Sequence, residues 1–319
     1  MIKTAVQLKD LVRNLARSTG IPNYILLRRY MMERFLERLA QTHYRNAFIL
    51  KGGMLISDMV GVESRATKDI DATVAGLPLT EESMKQAIQE ILSVDVGDHV
   101  AFSLVSLDPI MDEAEYEGLR VSLETRLDNA IIPLKIDIST GDAITPQAIP
   151  YAYRLMFEDR TIAIKAYPIE TVLAEKLETM ITRADANSRM RDFYDMHILL
   201  KIRSGEIDSD TLRKALDATA RKRGTADHLG NAEAVLVVLE NSPRMAELWQ
   251  NYQMKNSYAK DITWDAVVLS SRKLCLMSGL EVNKPSILKT LTVLNEESLH
   301  REEHRTDREK SKPHRGEER

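Results

Sequence analysis

Asp69 and Asp71 stand on either side of Ile70 in KGGMLISDMVGVESRATKDIDAT, residues 51–73. If residues 69–74 form a strand, successive side chains alternate between its two faces. Asp69, Asp71 and Thr73 then share one face, and Ile70, Ala72 and Val74 the other. The apolar face can pack on a core. The other presents two carboxylates side by side, which repel unless a cation lies between them. Hard oxygen ligands of this kind suit Mg2+ or Mn2+, ions that also bridge nucleotide phosphates. Upstream, residues 47–50 read as a strand running into Gly52-Gly53 and then into a short apolar segment, residues 54–60. Glycine lets a ligand approach the backbone, and a helix N-terminus offers free N–H groups to an anion. Phosphate on the glycine turn and metal on the acidic pair would make one nucleotide site. Taken singly, a Gly-Gly is an ordinary tight turn and an Asp-x-Asp is common; the ordered combination carries the reading.

Later stretches could complete such a site. In residues 131–139, Leu134, Ile136 and Ile138 alternate with Lys135 and Asp137, so Asp137 stands opposite an apolar face. Beside Asp69 and Asp71 it would be a third carboxylate for a two-metal arrangement. Elsewhere it would be an ordinary solvent-facing acid. A helix over residues 169–183 would carry Val172, Leu173, Leu177, Met180 and Ile181 on one face, with Lys176 at its edge. Lys176 then either snorkels to water or turns its ammonium into a cleft to meet phosphates. Arg183, two turns on, lies nearly above it. In RMRDFYDMHILL, Asp192 and Asp195 are three apart and share a side. Arg191 can pair with Asp195 at i,i+4, although acids near a helix start are also favoured by the dipole alone. His197 lies amid Met196, Ile198 and Leu199 and reads as a packed histidine; no second His or Cys stands at ligand spacing, so no zinc site is expected.

These stretches need elements to hold them. A chain of 319 residues can form two packed domains or one large one. At 44% hydrophobic and 29% charged it has the composition of a soluble globular protein. The net charge of −4 excludes a global attraction to nucleic acid and leaves only a local patch for one. The one cysteine, Cys275, lies among Leu274, Leu276 and Met277; it reads as a buried thiol and fits a reducing compartment. No stretch is of signal-peptide type or long enough to span a bilayer, so a cytoplasmic location with no membrane partner is expected.

Residues 1–44 read as two helices. The second carries Arg28, Arg29, Arg34 and Arg38, a solvated face by preference and an RNA-contacting stripe otherwise. Residues 45–167 read as an α/β unit with strands at 47–50, 69–74, 101–107, 119–126, 131–139 and 161–166. A helix capped by Thr80 covers 81–92, and 109–117 is an acidic loop. Residues 168–294 read as helical, including a short segment after Pro285. There Arg221-Lys222-Arg223-Gly224 looks like a helix end, and is also the best local candidate for a phosphate-backbone contact. Residues 295–319 are nearly all charged or polar and are expected to be disordered.

KGG followed by R-x-T-x-D-I-D, and later by K…R…R-D-x-x-D, resembles the AbiEii/AbiGii abortive-infection toxins, a family of polymerase-β-like nucleotidyltransferases. The resemblance covers roughly residues 40–200. It rests on Gly52, Gly53, Arg65, Thr67, Asp69 and Asp71, then Asp137, then Lys176, Arg183, Arg191, Asp192 and Asp195. The Gly-Gly replaces the Gly-Ser of many polymerase-β-like enzymes, so a phosphate contact by that Ser must come from backbone or from Thr67. The resemblance implies an α+β fold: a polymerase-β-like nucleotidyltransferase mixed sheet with flanking helices, plus a helical C-terminal domain. It implies Mg2+ (or Mn2+) on Asp69, Asp71 and Asp137, with Asp69, Asp71, Lys176 and Asp192 as the catalytic set. Gly52, Gly53, Arg65, Thr67, Arg183, Arg191 and Asp195 would bind the NTP, which is GTP in some relatives. The acceptor would be an RNA, tRNA in some relatives. The protein would be the toxin of a toxin–antitoxin or phage-defence system, paired with a winged-helix repressor as antitoxin. Two other readings stay open: nucleotide or phosphate transfer to a protein or small molecule, and a non-catalytic nucleotide-binding interaction module.

Overall fold

Seven strands make one mixed sheet: β1 (Phe48–Lys51), β2 (Ile70–Val74), β3 (Ala101–Pro109), β4 (Gly118–Leu127), β5 (Ala130–Thr140), β6 (Ile149–Arg154) and β7 (Thr161–Ala166). This is a computed structural model, and it describes residue 2, residues 4–110 and residues 118–284. The expected acidic loop lies almost wholly outside the described residues; the segment after Pro285 and the charged tail lie outside them altogether. The strands are ordered β3-β4-β5-β2-β1-β7-β6. β1 runs antiparallel to β2 and parallel to β7, and β2 runs parallel to β5. The outer strands add on as antiparallel neighbours.

Strand alternation decides which face is core. Ile132, Leu134, Ile136 and Ile138 of β5 are buried, as are Ile70, Ala72 and Val74 of β2. This face is covered by α2 (Asn23–Ala40), whose Phe35, Leu36 and Leu39 meet Phe48, Ile70 and Ile136. Near it lie α1 (Ala5–Thr19), capped by the Thr4 hydroxyl, and α4 (Glu81–Ser93), capped by Thr80 with Glu81 and Glu82 in the first turn. The opposite face carries α3 (Gly52–Val60) and opens onto α5 (Ile169–Arg183), α6 (Met190–Arg203) and α7 (Ser209–Arg223). α8 (Ala232–Asn241), α9 (Pro243–Lys255) and α10 (Trp264–Met277) complete the helical region. The fold is α+β, a mixed sheet with flanking helices and a helical C-terminal part.

The α2 arginines correct both sequence readings. Arg29, Arg34 and Arg38 are buried, neither solvated nor presented to a polyanion. Arg29 pairs with Glu33 and reaches Ser57; Arg34 pairs with Glu37 and Glu158; Arg38 forms two hydrogen bonds to Asp98, at 2.7 and 2.8 Å. Buried charge must be paired, and here the partners come from α2 itself and from distant segments. The sequence expectation also lacked β6. His197 and Cys275 are buried as expected; a ring nitrogen of His197 lies 2.8 Å from the Ser270 hydroxyl, and burial pushes the Cys275 thiol up to about 12.

Candidate nucleotide site

The glycine pair is dictated by what packs on it. Gly52 has φ +61°, and a Cβ there would stand 2.2 Å from Asp71 Oδ2. A Cβ on Gly53 would stand 2.6 Å from the Thr67 hydroxyl and 3.1 Å from Arg65 Nη2. The first turn of α3 is therefore pressed between Asp71 and the loop carrying Arg65 and Thr67. Gly53 N–H donates to Asp71 Oδ2 at 3.0 Å. The sequence reading gave this N-terminus to phosphate alone. In the structure a protein carboxylate already occupies one of its N–H groups, which suits the positive end of a helix dipole.

Strand register then sets a row of charge across the sheet. Lys51 of β1 faces Asp71 of β2, Asp71 faces Asp137 of β5, and Asp137 faces Arg120 of β4. The order along the row is cation, acid, acid, cation. Asp137 accepts two hydrogen bonds from Arg120, both at 2.8 Å. Lys51 Nζ donates to Ser139 Oγ at 2.8 Å and to Asp142 Oδ2 at 2.5 Å, and lies 5.6 Å from the Tyr167 ring centre. Burial pushes the Asp71 carboxyl above its usual range, and Asp137 beside it adds to that; Gly53 N–H and the Lys51 ammonium work against it. Asp69 lies just before β2, half-buried in the same cavity.

Opposite this row stands a helical wall. Arg65 is 2% exposed, and its guanidinium grips Asp195 of α6 at 2.7 and 3.3 Å. Lys176 of α5 bridges Asp192 at 2.6 Å and Asp195 at 2.9 Å. Arg189 closes the chain of charges on Asp192 at 2.6 Å. Burial alone would raise Asp192 and Asp195. The surrounding cations outweigh it and hold both below the usual carboxylate range. Burial likewise opposes the Lys176 charge, but the two aspartates win and its ammonium stays above its ordinary value. Lys176 thus faces the cleft rather than snorkelling to bulk water.

Asp69, Asp71, Asp137, Lys176, Asp192, Asp195, Arg191, Arg65, Thr67 and the two glycines all line one cavity of about 420 Å3. Three expectations are corrected. Arg183 is the exposed last residue of α5 and does not line the cavity; it sits where a cation meets the negative end of the dipole. Arg191 does not take Asp195, which Arg65 and Lys176 already hold; it stays exposed at the cavity wall. The three acids do not form a ready-made cage: among the described residues no group of three or more acidic, His or Cys side chains is gathered for a metal. The physical reason is that Asp137 turns to Arg120 and Asp71 to Gly53. The donor set still fits a hard divalent ion, because Mg2+ commonly takes one or two carboxylates and completes its shell with water and substrate phosphate.

Sequence reasoning missed Lys51, Arg120 and Glu175, and singled out Arg223 only within a basic run at a helix end; the structure brings all four to the site: Lys51, Glu175 and Arg223 line the cavity, and Arg120 holds Asp137 at its wall. Burial pushes the Glu175 carboxyl up; Lys51, Arg223 and Lys176 oppose that. Arg223 donates to Thr179 at 3.0 Å and pairs with Glu178, so one end of the basic run at the close of α7 does reach the cleft. The signals were present in KGG, in the Glu-Lys pair of α5 and in Arg-Lys-Arg-Gly. What made them site residues was pairing across strands and helices.

The chain matches the profile of one protein family, described as nucleotidyl transferase AbiEii toxin, type IV TA system, over residues 34–269. No curated protein matches it. Two solved structures from Helicobacter pylori are similar at 14% identity. One, described as a candidate nucleotidyltransferase, covers 81% of this chain and 95% of its own, with a TM-score of 0.41. The other, JHP933, covers 91% of this chain and 100% of its own, with a TM-score of 0.42. Likeness that distant carries no argument about the site.

Proposed function

Since the chain belongs to the AbiEii family of nucleotidyl transferase toxins of type IV toxin–antitoxin systems, we propose that it transfers a nucleotide from an NTP to an RNA acceptor. GTP and tRNA are the first substrates to try. The observation that carries this reading is the single cavity in which the Asp69–Asp71 pair faces Lys176 and Arg191. Acids that can share a divalent cation stand opposite cations that can meet phosphates.

Asp69 and Asp71 would hold Mg2+ or Mn2+, with Asp137 joining them when Arg120 moves to phosphate. The Arg120 and Asp137 side chains are 39% and 27% exposed, so that exchange needs no opening of the core. A bound divalent ion supplies charge neutralisation on the triphosphate and lowers the pKa of an attacking hydroxyl. The chain's own residues do the rest. Lys176 and Arg191 draw the phosphates to the helical wall, Thr67 and the glycine turn bound the opposite side, and Asp192 positions the acceptor. The acceptor hydroxyl gives its proton to solvent water and forms its bond to the α-phosphorus, the bond to the bridging oxygen breaks, and pyrophosphate leaves with that electron pair. The partners are then an NTP, an RNA and a cognate antitoxin of winged-helix repressor type, in the cytoplasm, where a phage-defence role would be exercised.

The test is incubation of the purified protein with Mg2+, each labelled NTP in turn and total tRNA. Label should enter RNA, and Asp71→Asn should cut incorporation by about 100-fold or more, since losing several kcal/mol of metal assistance costs that much. Label that runs with protein or a metabolite would move the acceptor to that class. Equal incorporation by wild type and Asp71→Asn would sink the reading.

A further inference from the structure

A second cleft, of about 680 Å3, adjoins the first, and Arg189, Arg191 and Asp192 line both. Its remaining walls come from the start of α2, from Lys68 just before β2, and from α9 with the turn that follows it. Four cations line it, Lys68, Arg189, Arg191 and Lys255, against one acid among the described residues, Asp192. That acid is already held by Lys176 and Arg189, both at 2.6 Å. A protein of net charge −4 has here the local basic patch that its composition alone could not reveal.

The cleft also offers flat apolar faces. Tyr24 is 54% exposed at its rim, with Lys68 Nζ 5.8 Å from the ring centre. Tyr252 and Tyr258 stand deeper, their hydroxyls 3.0 Å apart, with Trp249 stacked behind Tyr252. Asn251, Asn256 and Ser257 add side chains that can both donate and accept. Cations alternating with aromatic faces are what a single strand needs, one for its phosphates and one for its unstacked bases.

We propose that this second cleft seats the 3′-terminal nucleotides of a single-stranded RNA acceptor, a base on Tyr24 and phosphates on Lys68 and Lys255, which line this cleft alone. The assignment rests on the nucleotidyl-transfer reading. The alternative occupant is the base and sugar of the NTP itself. An NTP leaves its phosphates at the carboxylates of the first cleft, so Lys68 and Lys255, which line only the second, would meet no anion. A strand brings a phosphate with every nucleotide. The shared wall then puts the strand's terminal hydroxyl beside Asp192, where the two clefts meet.

The test uses the full chain and a fluorescein-labelled single-stranded RNA octamer with a free 3′ hydroxyl, read by anisotropy without NTP or metal. Lys68→Ala/Lys255→Ala should weaken binding about 10-fold or more, and should flatten the plot of log affinity against log salt by about 1.4, near 0.7 for each phosphate that is no longer neutralised. Tyr24→Ala should weaken binding between about 5- and 150-fold, the range for one stacked base. NTP affinity should stay at the wild-type value in each variant. All three positions are exposed, so melting temperatures should hold and the binding readout stands by itself. Wild-type RNA affinity and salt slope in these variants would overturn the proposal. So would a loss of NTP affinity in step with RNA, which would give the cleft to the NTP base. A DNA octamer of the same sequence that binds as tightly would overturn RNA as the ligand. Cleft-dependent binding with no transfer sinks the reaction and keeps the cleft; transfer with unaltered binding in the variants does the reverse.

Discussion

Gly52 admits no side chain, because the same backbone that gives it φ +61° also brings it against Asp71. Gly20 is a natural control, a left-handed residue with φ +74° and open space around it. Gly52→Ala and Gly20→Ala share the penalty of a positive-φ alanine, about 1–3 kcal/mol. Only the first should displace Asp71. Transfer should therefore fall about 100-fold or more in Gly52→Ala and change little in Gly20→Ala, measured by label incorporation. The Asp71 carboxyl makes a second prediction, with a definite sign. Its pKa is raised, so its share of stability is present at acid pH and lost as pH rises through the raised value. Metal-free Asp71→Asn should then melt at or above wild type at pH 7, while transfer is lost; a lower melting temperature would contradict this. At this scale the sequence exposed Asp69, Asp71 and Asp137 through alternation. It hid Lys51 and Arg120, because the pairings 51 with 71 and 137 with 120 depend on which strands are neighbours.

Buried charge pairs link several elements on top of the apolar core they share. The loop after α3 is fastened to α6 twice, by Arg65 on Asp195 and by the Tyr194 hydroxyl on the Ser64 carbonyl. Asp195→Ala leaves the Arg65 guanidinium buried without its partner, and should cost about 3–5 kcal/mol in urea unfolding. Arg65→Met/Asp195→Leu should recover much of that stability and none of the activity. Asp192 and Asp195 have depressed pKa values, so the stability they lend is complete above the ordinary carboxylate value of about 4 and is lost as pH falls below it. Melting at pH 7, 5 and 3 should show wild type dropping steeply only in the last interval, with a shallower drop in Asp195→Ala. Sequence periodicity reached most elements, but not β6. That strand contains Pro150, which argues against a central strand and is tolerated here because β6 is at the sheet edge. Asp58 of α3 ties it down, accepting from the Tyr151 hydroxyl at 2.6 Å and from the Arg154 N–H at 3.2 Å. The α2 arginines misled for a related reason. Their spacing is that of a wet face, and it takes Glu33 and Glu37 of the same helix together with the distant Ser57, Asp98 and Glu158 to make them core.

Across the whole molecule, the sheet and the loop before β2 supply Asp69, Asp71 and Asp137, and the helical region supplies most of the cations that face them. Among the described residues no helix is long and apolar enough to cross a membrane. The cleft was legible as a set of residues because alternation and helical spacing are local properties. Its second chamber was not, since it is made from the start of α2, the loop before β2 and the end of α9, which share no motif. One more consequence concerns synthesis. The charged row needs β5, and the wall needs α6, so a ribosome that stalls before position 195 releases a chain that has Asp69 and Asp71 but no counterweight for Arg65. A product truncated there carries the acids without the wall that faces them, and should incorporate no label where the finished polypeptide does.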